Sequence, residues 1–127
     1  NGQEVSRDKL AGKTVGFYFS AHWCPPCRAF TPNLVKFRDA NKENFEVVFV
    51  SADRSLQAQM NYMKETKMKW VTVEWKSASA NALGKKFKIR GYPTLIIVSP
   101  EGKTVSTNGW REVSSNPKGA WDSWQKP

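Results

Sequence analysis

Apolar stretches of two kinds alternate along the first half of the chain and predict alternating strands and helices. Residues 15–20 are apolar and aromatic without polar alternation, which is typical of a strand covered on both faces. Residues 45–51 have the same character and predict a second buried strand. Between them, residues 27–41 predict an amphipathic helix, because apolar side chains recur there at helical spacing: Phe30, Leu34 and Phe37. A strand, a helix and a strand in this order predict a right-handed βαβ unit with parallel strands, and therefore an α/β fold.

The segment after the second strand predicts a second helix, a short strand and a third helix. Asp53 or Ser55 can cap the second helix, which ends near Lys67. Residues 70–73 predict a short extended piece, and residues 78–87 predict the third helix. The apolar side chains expected on the buried face of the second helix are Leu56, Met60 and Met63.

The last part of the chain predicts a hairpin and a terminal helix. Residues 94–99 and 104–106 flank a Pro-Glu-Gly-Lys turn, which is a hairpin signal, so two antiparallel strands are expected to close one edge of the sheet. Trp121 and Trp124 lie three residues apart after Pro117, and they predict a short helix that packs through its indole rings.

Length and composition agree with one folded domain over residues 1–127. The chain has 127 residues, a common domain size, and its 39% hydrophobic and 13% aromatic residues can fill a core, which excludes disorder of the whole chain. No apolar run approaches the roughly 20 residues that span a bilayer, so no membrane partner is expected. The formal net charge of +9 favours acidic partners, anionic substrates or nucleic acid.

The pair Cys24 and Cys27 carries the strongest chemical signal. These two cysteines are the only ones in the chain, so long-range disulfides are excluded and the pair favours redox or metal chemistry. The pair follows a buried strand and opens a helix, where unpaired backbone N–H groups and the positive end of the helix dipole stabilise a Cys24 thiolate. Cys27 lies on the same helical face, one turn deeper, within reach of the Cys24 sulfur. We therefore expect an exposed, nucleophilic Cys24 and a shielded Cys27 that resolves mixed disulfides.

A zinc site is the main alternative for this cysteine pair. Structural zinc needs four ligands, and the chain offers two cysteines and one histidine, His22. Carboxylates would have to complete such a site, so we expect no metal and no other cofactor.

Three segments of the chain carry a family resemblance. Residues 19–32 read Phe-Ser-Ala-His-Trp-Cys-Pro-Pro-Cys-Arg-Ala-Phe-Thr-Pro, residues 48–55 read Val-Phe-Val-Ser-Ala-Asp-Arg-Ser, and residues 90–96 read Arg-Gly-Tyr-Pro-Thr-Leu-Ile. Together they resemble the nucleoredoxin and tryparedoxin branch of the thioredoxin superfamily, whose ordinary members have Gly-Pro between the cysteines. The resemblance covers about residues 10–113. It implies a thioredoxin-like fold with a central mixed sheet flanked by helices.

The resemblance also implies a role for five residues. Cys24 is the attacking cysteine, Cys27 is the resolving cysteine, and Pro93 is the cis-proline that faces them. Trp23 and Tyr92 flank the sulfur as an apolar platform for the partner, and the Tyr92 backbone pairs with an extended substrate segment. Without the resemblance, the two aromatic residues are equally compatible with rim packing. Pro93 alone would indicate a trans residue at a strand edge.

The surroundings of the pair depart from ordinary thioredoxins at one position. Those proteins place a buried aspartate six residues before the first cysteine, where this chain has Tyr18. The proton acceptor for Cys27 must therefore be another group or water, and Asp53 and Glu74 are the candidates. His22 borders the nucleophile, although an exposed loop histidine more often has no catalytic role.

A cluster of cations precedes the Gly-Tyr-Pro loop. Four of the six residues between positions 85 and 90 are basic, and they either orient acidic substrates at the sulfur or form an ordinary solvated helix end. The four residues are Lys85, Lys86, Lys88 and Arg90.

These observations predict a monomeric thiol–disulfide oxidoreductase that reduces protein disulfides, with acidic substrates favoured. A reductase or a low-molecular-weight thiol is expected as the electron donor. The alternative is a redox-dependent binding module that acts on a signalling or transcription-factor partner. A nucleic-acid binder comes third, because the aromatic residues fall at core spacings. The cysteine usage favours a reducing compartment, so we expect a cytoplasmic location, to which the nucleoredoxin resemblance adds the nucleus.

Overall fold

A computed structural model describes residues 12–125 of the chain. The ends of the predicted domain of residues 1–127, and residues 10 and 11 of the segment that resembles thioredoxins, lie outside the described residues. Within residues 12–125, every helix is too short or too polar to cross a membrane.

The described strands form one mixed sheet. In chain order, they are β1 Thr14–Ser20, β2 Phe45–Ser51, β3 Val71–Thr72, β4 Thr94–Val98 and β5 Thr104–Ser106. They lie in the order β3-β2-β1-β4-β5. Strands β1, β2 and β3 run parallel, whereas β4 runs antiparallel to both β1 and β5. The α/β class, the parallel βαβ unit and the antiparallel hairpin at one edge are thereby confirmed.

Helices cover the sheet. They are α1 Pro25–Ala40, α2 Leu56–Thr66, α3 Ala78–Lys86, α4 Gly109–Ser115 and α5 Pro117–Trp124. Helix α1 begins two residues earlier than predicted, because Pro25 and Pro26 occupy its first turn, where a missing N–H costs no helical hydrogen bond. Helix α4 was not predicted, since Val113 is its only large side chain that is fully buried and the segment has little helical periodicity.

The buried face of α2 differs from the prediction. Leu56 is 53% exposed and Met60 is half-buried, so the predicted stripe is wrong at two of its three positions, and Met63 alone is buried. Gln59 and Tyr62 face the core instead. The Tyr62 hydroxyl is hydrogen-bonded, and Gln59 Nε2 donates to Thr72 Oγ1 at 2.7 Å, which offsets part of the penalty of burying Gln59, whose Oε1 is buried without a partner among the described residues. Ser55, rather than Asp53, caps the helix by accepting a hydrogen bond from the Ala58 backbone N–H.

The core lies on both faces of the sheet. One face carries the larger cluster, in which Phe45 and Phe37 contact the indoles of Trp121 and Trp124 from α5, as the spacing of the two tryptophans predicts. A smaller cluster lies under α3, whose Leu83 packs against Phe19, Val50 and Ile96. The sheet is therefore covered on both faces at β1, as its uninterrupted apolar pattern predicts.

This topology brings three loops to one edge of the sheet. Because β1 and β2 are parallel and in register from Thr14 with Phe45 to Ser20 with Ser51, their carboxyl ends lie side by side. Strand β4 is antiparallel to β1 and pairs its first residue, Thr94, with Phe19. The loop before β4 therefore lies beside the loops that follow β1 and β2. The cysteine pair and the Gly-Tyr-Pro segment meet at this edge.

Candidate active site around Cys24 and Cys27

Cys24 and Cys27 are joined by a disulfide at the beginning of α1. Their Cα atoms are 5.2 Å apart. Cys24 is the N-cap residue, with an extended backbone, and Cys27 lies in the first turn of the helix. Cys24 is 5% exposed and Cys27 is fully buried. Cys24 is thus less exposed than the sequence predicts, because the disulfide and the Tyr92 carbonyl, 3.7 Å from Cys24 Sγ, cover most of it.

The loop before β4 reaches the disulfide through its cis peptide bond. The bond between Tyr92 and Pro93 is cis, as the sequence predicts. Thr94 Oγ1 donates a hydrogen bond of 2.8 Å to the Gly91 carbonyl and closes this turn. Pro93 is buried, whereas Tyr92 is 39% exposed. The loop therefore presents the Tyr92 backbone and ring next to Cys24.

Two exposed aromatic rings form a rim beside the sulfur. The rings of Trp23 and Tyr92 meet edge to face, with their centroids 5.9 Å apart. Trp23 is 46% exposed, although its Nε1 donates a hydrogen bond of 3.0 Å to the Ala52 carbonyl in the loop after β2. The Arg54 guanidinium lies 5.9 Å from the centroid of the Trp23 ring. The two rings thus place exposed apolar surface beside the disulfide.

A network of four buried hydroxyl groups lies below the first turn of α1. Thr31 Oγ1 donates to the Cys27 carbonyl at 2.8 Å, and it lies 2.7 Å from the Tyr18 hydroxyl and 2.6 Å from the Tyr62 hydroxyl. Since a threonine has one proton to donate, both tyrosines must donate to Thr31. Ser20 Oγ lies 2.8 Å from the Tyr62 hydroxyl and donates to it. All four side chains are fully buried, so every hydroxyl has its partner without water.

Tyr18 cannot serve as the proton acceptor of Cys27. Burial is the main cause that raises the pKa of Tyr18 far above its usual value, and the nearby Tyr62 raises it further. Tyr18 therefore remains a neutral hydrogen-bond donor at every pH at which thiols exchange. Its hydroxyl donates to Thr31 Oγ1, which donates to the Cys27 carbonyl, so Tyr18 supports the backbone of the buried cysteine through Thr31.

Of the residues that the sequence suggests as helpers of the pair, Asp53 and His22 have structural contacts, whereas Glu74 is exposed. Asp53 is 5% exposed. Its two carboxylate oxygens accept hydrogen bonds from the backbone N–H of His22 at 2.7 Å and from Ser51 Oγ at 2.6 Å. The His22 ring stacks on Tyr62, with centroids 5.3 Å apart, and its Nε2 lies 2.8 Å from Glu65. Asp53 and His22 thus connect the loop before Cys24 to the loop after β2 and to helix α2. Glu74 is exposed in the loop after β3.

A groove of about 690 Å³ begins at Tyr92 and runs along α3. Four cations line it, and we call it the basic groove: Lys76, Lys85, Lys88 and Arg90. Sequence reasoning found three of them as a cluster but missed Lys76, which comes from the loop before α3. Lys86 was assigned to the same cluster, but its ammonium lies 5.5 Å from the centroid of the Phe87 ring, and it does not line the groove.

Comparison with known proteins agrees with this arrangement. The sequence model of the family described as Thioredoxin-like matches residues 12–104. The chain belongs to the Thioredoxin-like family. Nucleoredoxin from Mus musculus is 43% identical over 118 residues, covering 89% of this chain and 26% of nucleoredoxin. The chain therefore spans about a quarter of the length of the curated relatives it matches.

Solved structures show the same relationship for this thioredoxin-like chain. Tryparedoxin I from Crithidia fasciculata superimposes with a TM-score of 0.84 at 39% identity, covering 99% of this chain and 89% of tryparedoxin I. Tryparedoxin from Trypanosoma brucei gives the same TM-score and identity, with 98% and 88% covered. The predicted branch is thus confirmed: the chain is a thioredoxin-family redox protein related to nucleoredoxin and tryparedoxin. The cysteine pair at disulfide distance agrees with this relationship.

Proposed function

We propose that this thioredoxin-like protein reduces protein disulfides through a dithiol and disulfide cycle of Cys24 and Cys27. The observation that carries the proposal is the position of the pair. Cys24 is the N-cap residue of α1, and its sulfur lies next to the Tyr92 carbonyl. The rings of Trp23 and Tyr92 are exposed beside this sulfur. Cys27 is fully buried and bonded to Cys24 alone.

The helix end supplies the nucleophile. Pro25 and Pro26 open α1 without an N–H, so the Cys27 backbone N–H is the first one in the helix and has no partner there, and the positive end of the helix dipole lies at Cys24. Both favour the thiolate of the reduced protein over the thiol. Cys27 gains less, because it is enclosed, and burial in apolar surroundings favours its neutral thiol. Cys24 is therefore the attacking cysteine and Cys27 the resolving one.

The reaction proceeds in two exchanges. The Cys24 thiolate attacks one sulfur of a protein disulfide, the target S–S bond breaks, and the second target sulfur leaves as a thiolate that takes a proton from water. Cys27 then loses its proton to solvent and attacks Cys24 Sγ. This step forms the Cys24–Cys27 disulfide and releases the first target sulfur, which is protonated in turn. Two electrons and two protons have passed to the target, and a low-molecular-weight thiol or a reductase restores the dithiol.

Trp23, Tyr92 and Pro93 bind the target in this proposal. The two rings offer apolar surface to side chains that flank the target sulfur. The backbone of the cis-proline loop can pair with an extended segment, as an added strand does. A second cleft of about 410 Å³ lies on the other side of this loop, between Tyr92, Pro93 and Arg111. It gives the target chain a place to continue past the disulfide.

Insulin reduction tests the proposal. With dithiothreitol as the thiol reductant, the protein should accelerate precipitation of the reduced insulin B chain, and both Cys24→Ser and Cys27→Ser should abolish the acceleration. An active Cys24→Ser variant would contradict the assigned roles. A parent protein that binds a target in one redox state but turns none over would instead match the binding-module hypothesis.

A further inference from the structure

We propose that the basic groove binds an acidic segment of the partner polypeptide next to the disulfide that the protein reduces. This inference rests on the proposed function and names the class of substrate. It commits to one occupant, a polypeptide segment rich in aspartate and glutamate, because the groove combines concentrated positive charge with a lining residue, Tyr92, whose carbonyl lies beside Cys24 Sγ.

The charge of the groove is concentrated and unpaired. Among residues 12–125, ion pairs join only His22 with Glu65 and Arg38 with Asp39 and Glu46, so no cation of the groove is neutralised by a carboxylate there. Among residues 12–125, Asp53 is the one carboxylate that lines the groove, and both of its oxygens already accept hydrogen bonds. Four cations against one carboxylate leave positive charge in excess, and a concave surface with an excess of one sign of charge attracts ligands of the opposite sign more strongly than the same charges spread over the surface.

The groove and the disulfide meet at Tyr92. Tyr92 lines the groove, and its carbonyl oxygen lies 3.7 Å from Cys24 Sγ. On α3, Asn81 and Lys85 are four residues apart and lie along the same wall. A polypeptide whose sulfur is bonded to Cys24 therefore carries its adjoining residues past Tyr92 into the groove.

The aromatic surface of the groove favours a polypeptide over a nucleic acid. Binding of single-stranded nucleic acid relies on aromatic faces on which bases stack. The Trp75 face is covered by the Lys76 ammonium, 5.1 Å from the ring centroid, and its Nε1 donates to the Asp53 carbonyl. Tyr92 is the one other aromatic ring in the groove that is exposed, and it belongs to the redox rim. Carboxylates need only spaced cations, which the groove supplies.

Binding of a cysteine-free acidic peptide to the oxidised protein tests the inference. The probe is fluorescein-labelled hexaglutamate, and the readout is fluorescence anisotropy at low salt. We expect the triple variant Lys76→Gln, Lys85→Gln, Lys88→Gln to bind about tenfold more weakly than the parent, because it removes three of the four cations that line the groove. Hexaglutamine should not bind.

A second triple variant removes the same charge elsewhere. Lys36→Gln, Lys64→Gln, Lys86→Gln changes three exposed lysines outside the groove and should alter hexaglutamate binding less than about twofold. Equal weakening by both variants would overturn the inference, since diffuse charge alone would then explain binding. A groove-dependent preference for an oligodeoxythymidylate over hexaglutamate would also overturn it, in favour of a nucleic acid.

The proposed function can fail separately from this inference. Bis(2-hydroxyethyl) disulfide is small and uncharged, so its reduction by the parent protein depends on the cysteine pair and does not depend on the basic groove. A parent that binds hexaglutamate in the groove but reduces no disulfide would refute the proposed function and leave an acidic-peptide site. A parent that reduces the uncharged disulfide but does not bind hexaglutamate would refute the groove inference alone.

Discussion

The Tyr18 hydroxyl lies 2.7 Å from Thr31 Oγ1 and 3.4 Å from the carbonyl oxygen of Cys27. In the sequence, Tyr18 is six residues before Cys24. A carboxylate at this position could exchange protons near neutral pH. The tyrosine hydroxyl does not, because burial raises its pKa far above the usual value. Tyr18 thus fixes geometry through Thr31, and in the proposed reaction the proton that Cys27 releases passes to water or to another base.

Tyr18 should make stability fall at high pH. The pKa of Tyr18 in the folded protein is raised above its unfolded value of about 10. Above about pH 10 the unfolded chain therefore loses the Tyr18 proton before the folded protein does. The contribution of Tyr18 to the free energy of unfolding is complete below about pH 10 and is lost as the pH rises further. The loss approaches about 1.4 kcal/mol per pH unit. Urea unfolding at pH 9 and 11 should show a smaller decrease for Tyr18→Phe than for the parent. An equal decrease in both proteins would show that Tyr18 does not carry this dependence, and Tyr92→Phe controls for the loss of an exposed hydroxyl.

Two glycines should respond oppositely to alanine. A Cβ atom at Gly109 would lie 2.8 Å from the Leu95 carbonyl oxygen and side chain, so Gly109→Ala forces α4 away from β4 and should cost about 1–3 kcal/mol. A Cβ atom at Gly84 meets nothing within 4 Å, and Gly84→Ala in helix α3 should stabilise the protein by about 0.5–1 kcal/mol. Chemical denaturation measures both changes. A neutral Gly109→Ala variant would mean that α4 does not pack this closely.

The ion pair of Arg38 with Glu46 should stabilise the fold far from the cysteines. Arg38 Nε and Nη2 donate to the two Glu46 oxygens at 3.0 Å each, and this hydrogen bonding raises the pKa of Arg38. Both side chains are largely buried, so Glu46→Gln should cost about 2 kcal/mol of unfolding free energy. Asp39, the exposed second partner of Arg38, provides the control, and Asp39→Asn should cost less than about 0.5 kcal/mol. A similar loss of unfolding free energy in both variants would refute the special role of Glu46. Both variants should reduce insulin at the rate of the parent protein.

The two cysteines should differ in reactivity after reduction. Cys24 lies at the helix N-terminus beside the exposed rim, whereas Cys27 is fully buried, so brief treatment with iodoacetamide should label Cys24 at least about tenfold faster. Peptide mass spectrometry after quenching distinguishes the two sites. Preferential labelling of Cys27 would reverse their roles.

The strands and the cysteine pair could be predicted because their signals are local. Residues 15–20 and 45–51 are apolar on both faces, and the pattern alone gives two adjacent buried strands. The position of Cys24 and Cys27 at a helix start follows from the strand before them and the prolines between them. The cis bond before Pro93 required the family resemblance, since proline at a strand start is also common in the trans form.

The features that sequence reasoning missed depend on contacts between distant segments. The prediction that Leu56 lies on the buried face of α2 was wrong, because Gln59 and Tyr62 are buried there instead. Both form hydrogen bonds with residues of other elements, which the periodicity of α2 cannot reveal. Lys76 joins the basic groove from a different loop, and Lys86 leaves it by turning onto Phe87. The limited exposure of Cys24 comes from the Tyr92 carbonyl, 68 residues further along the chain.

Trapping of the mixed disulfide tests the central claim most directly. Reduced Cys27→Ser should attack a target disulfide through Cys24 and remain bonded to it, because no resolving sulfur is left. Incubation with insulin followed by non-reducing electrophoresis should show a band at the mass of one protein plus an insulin chain, which dithiothreitol removes. Cys24→Ser should give no such band. A covalent adduct with Cys24→Ser but none with Cys27→Ser would contradict the account.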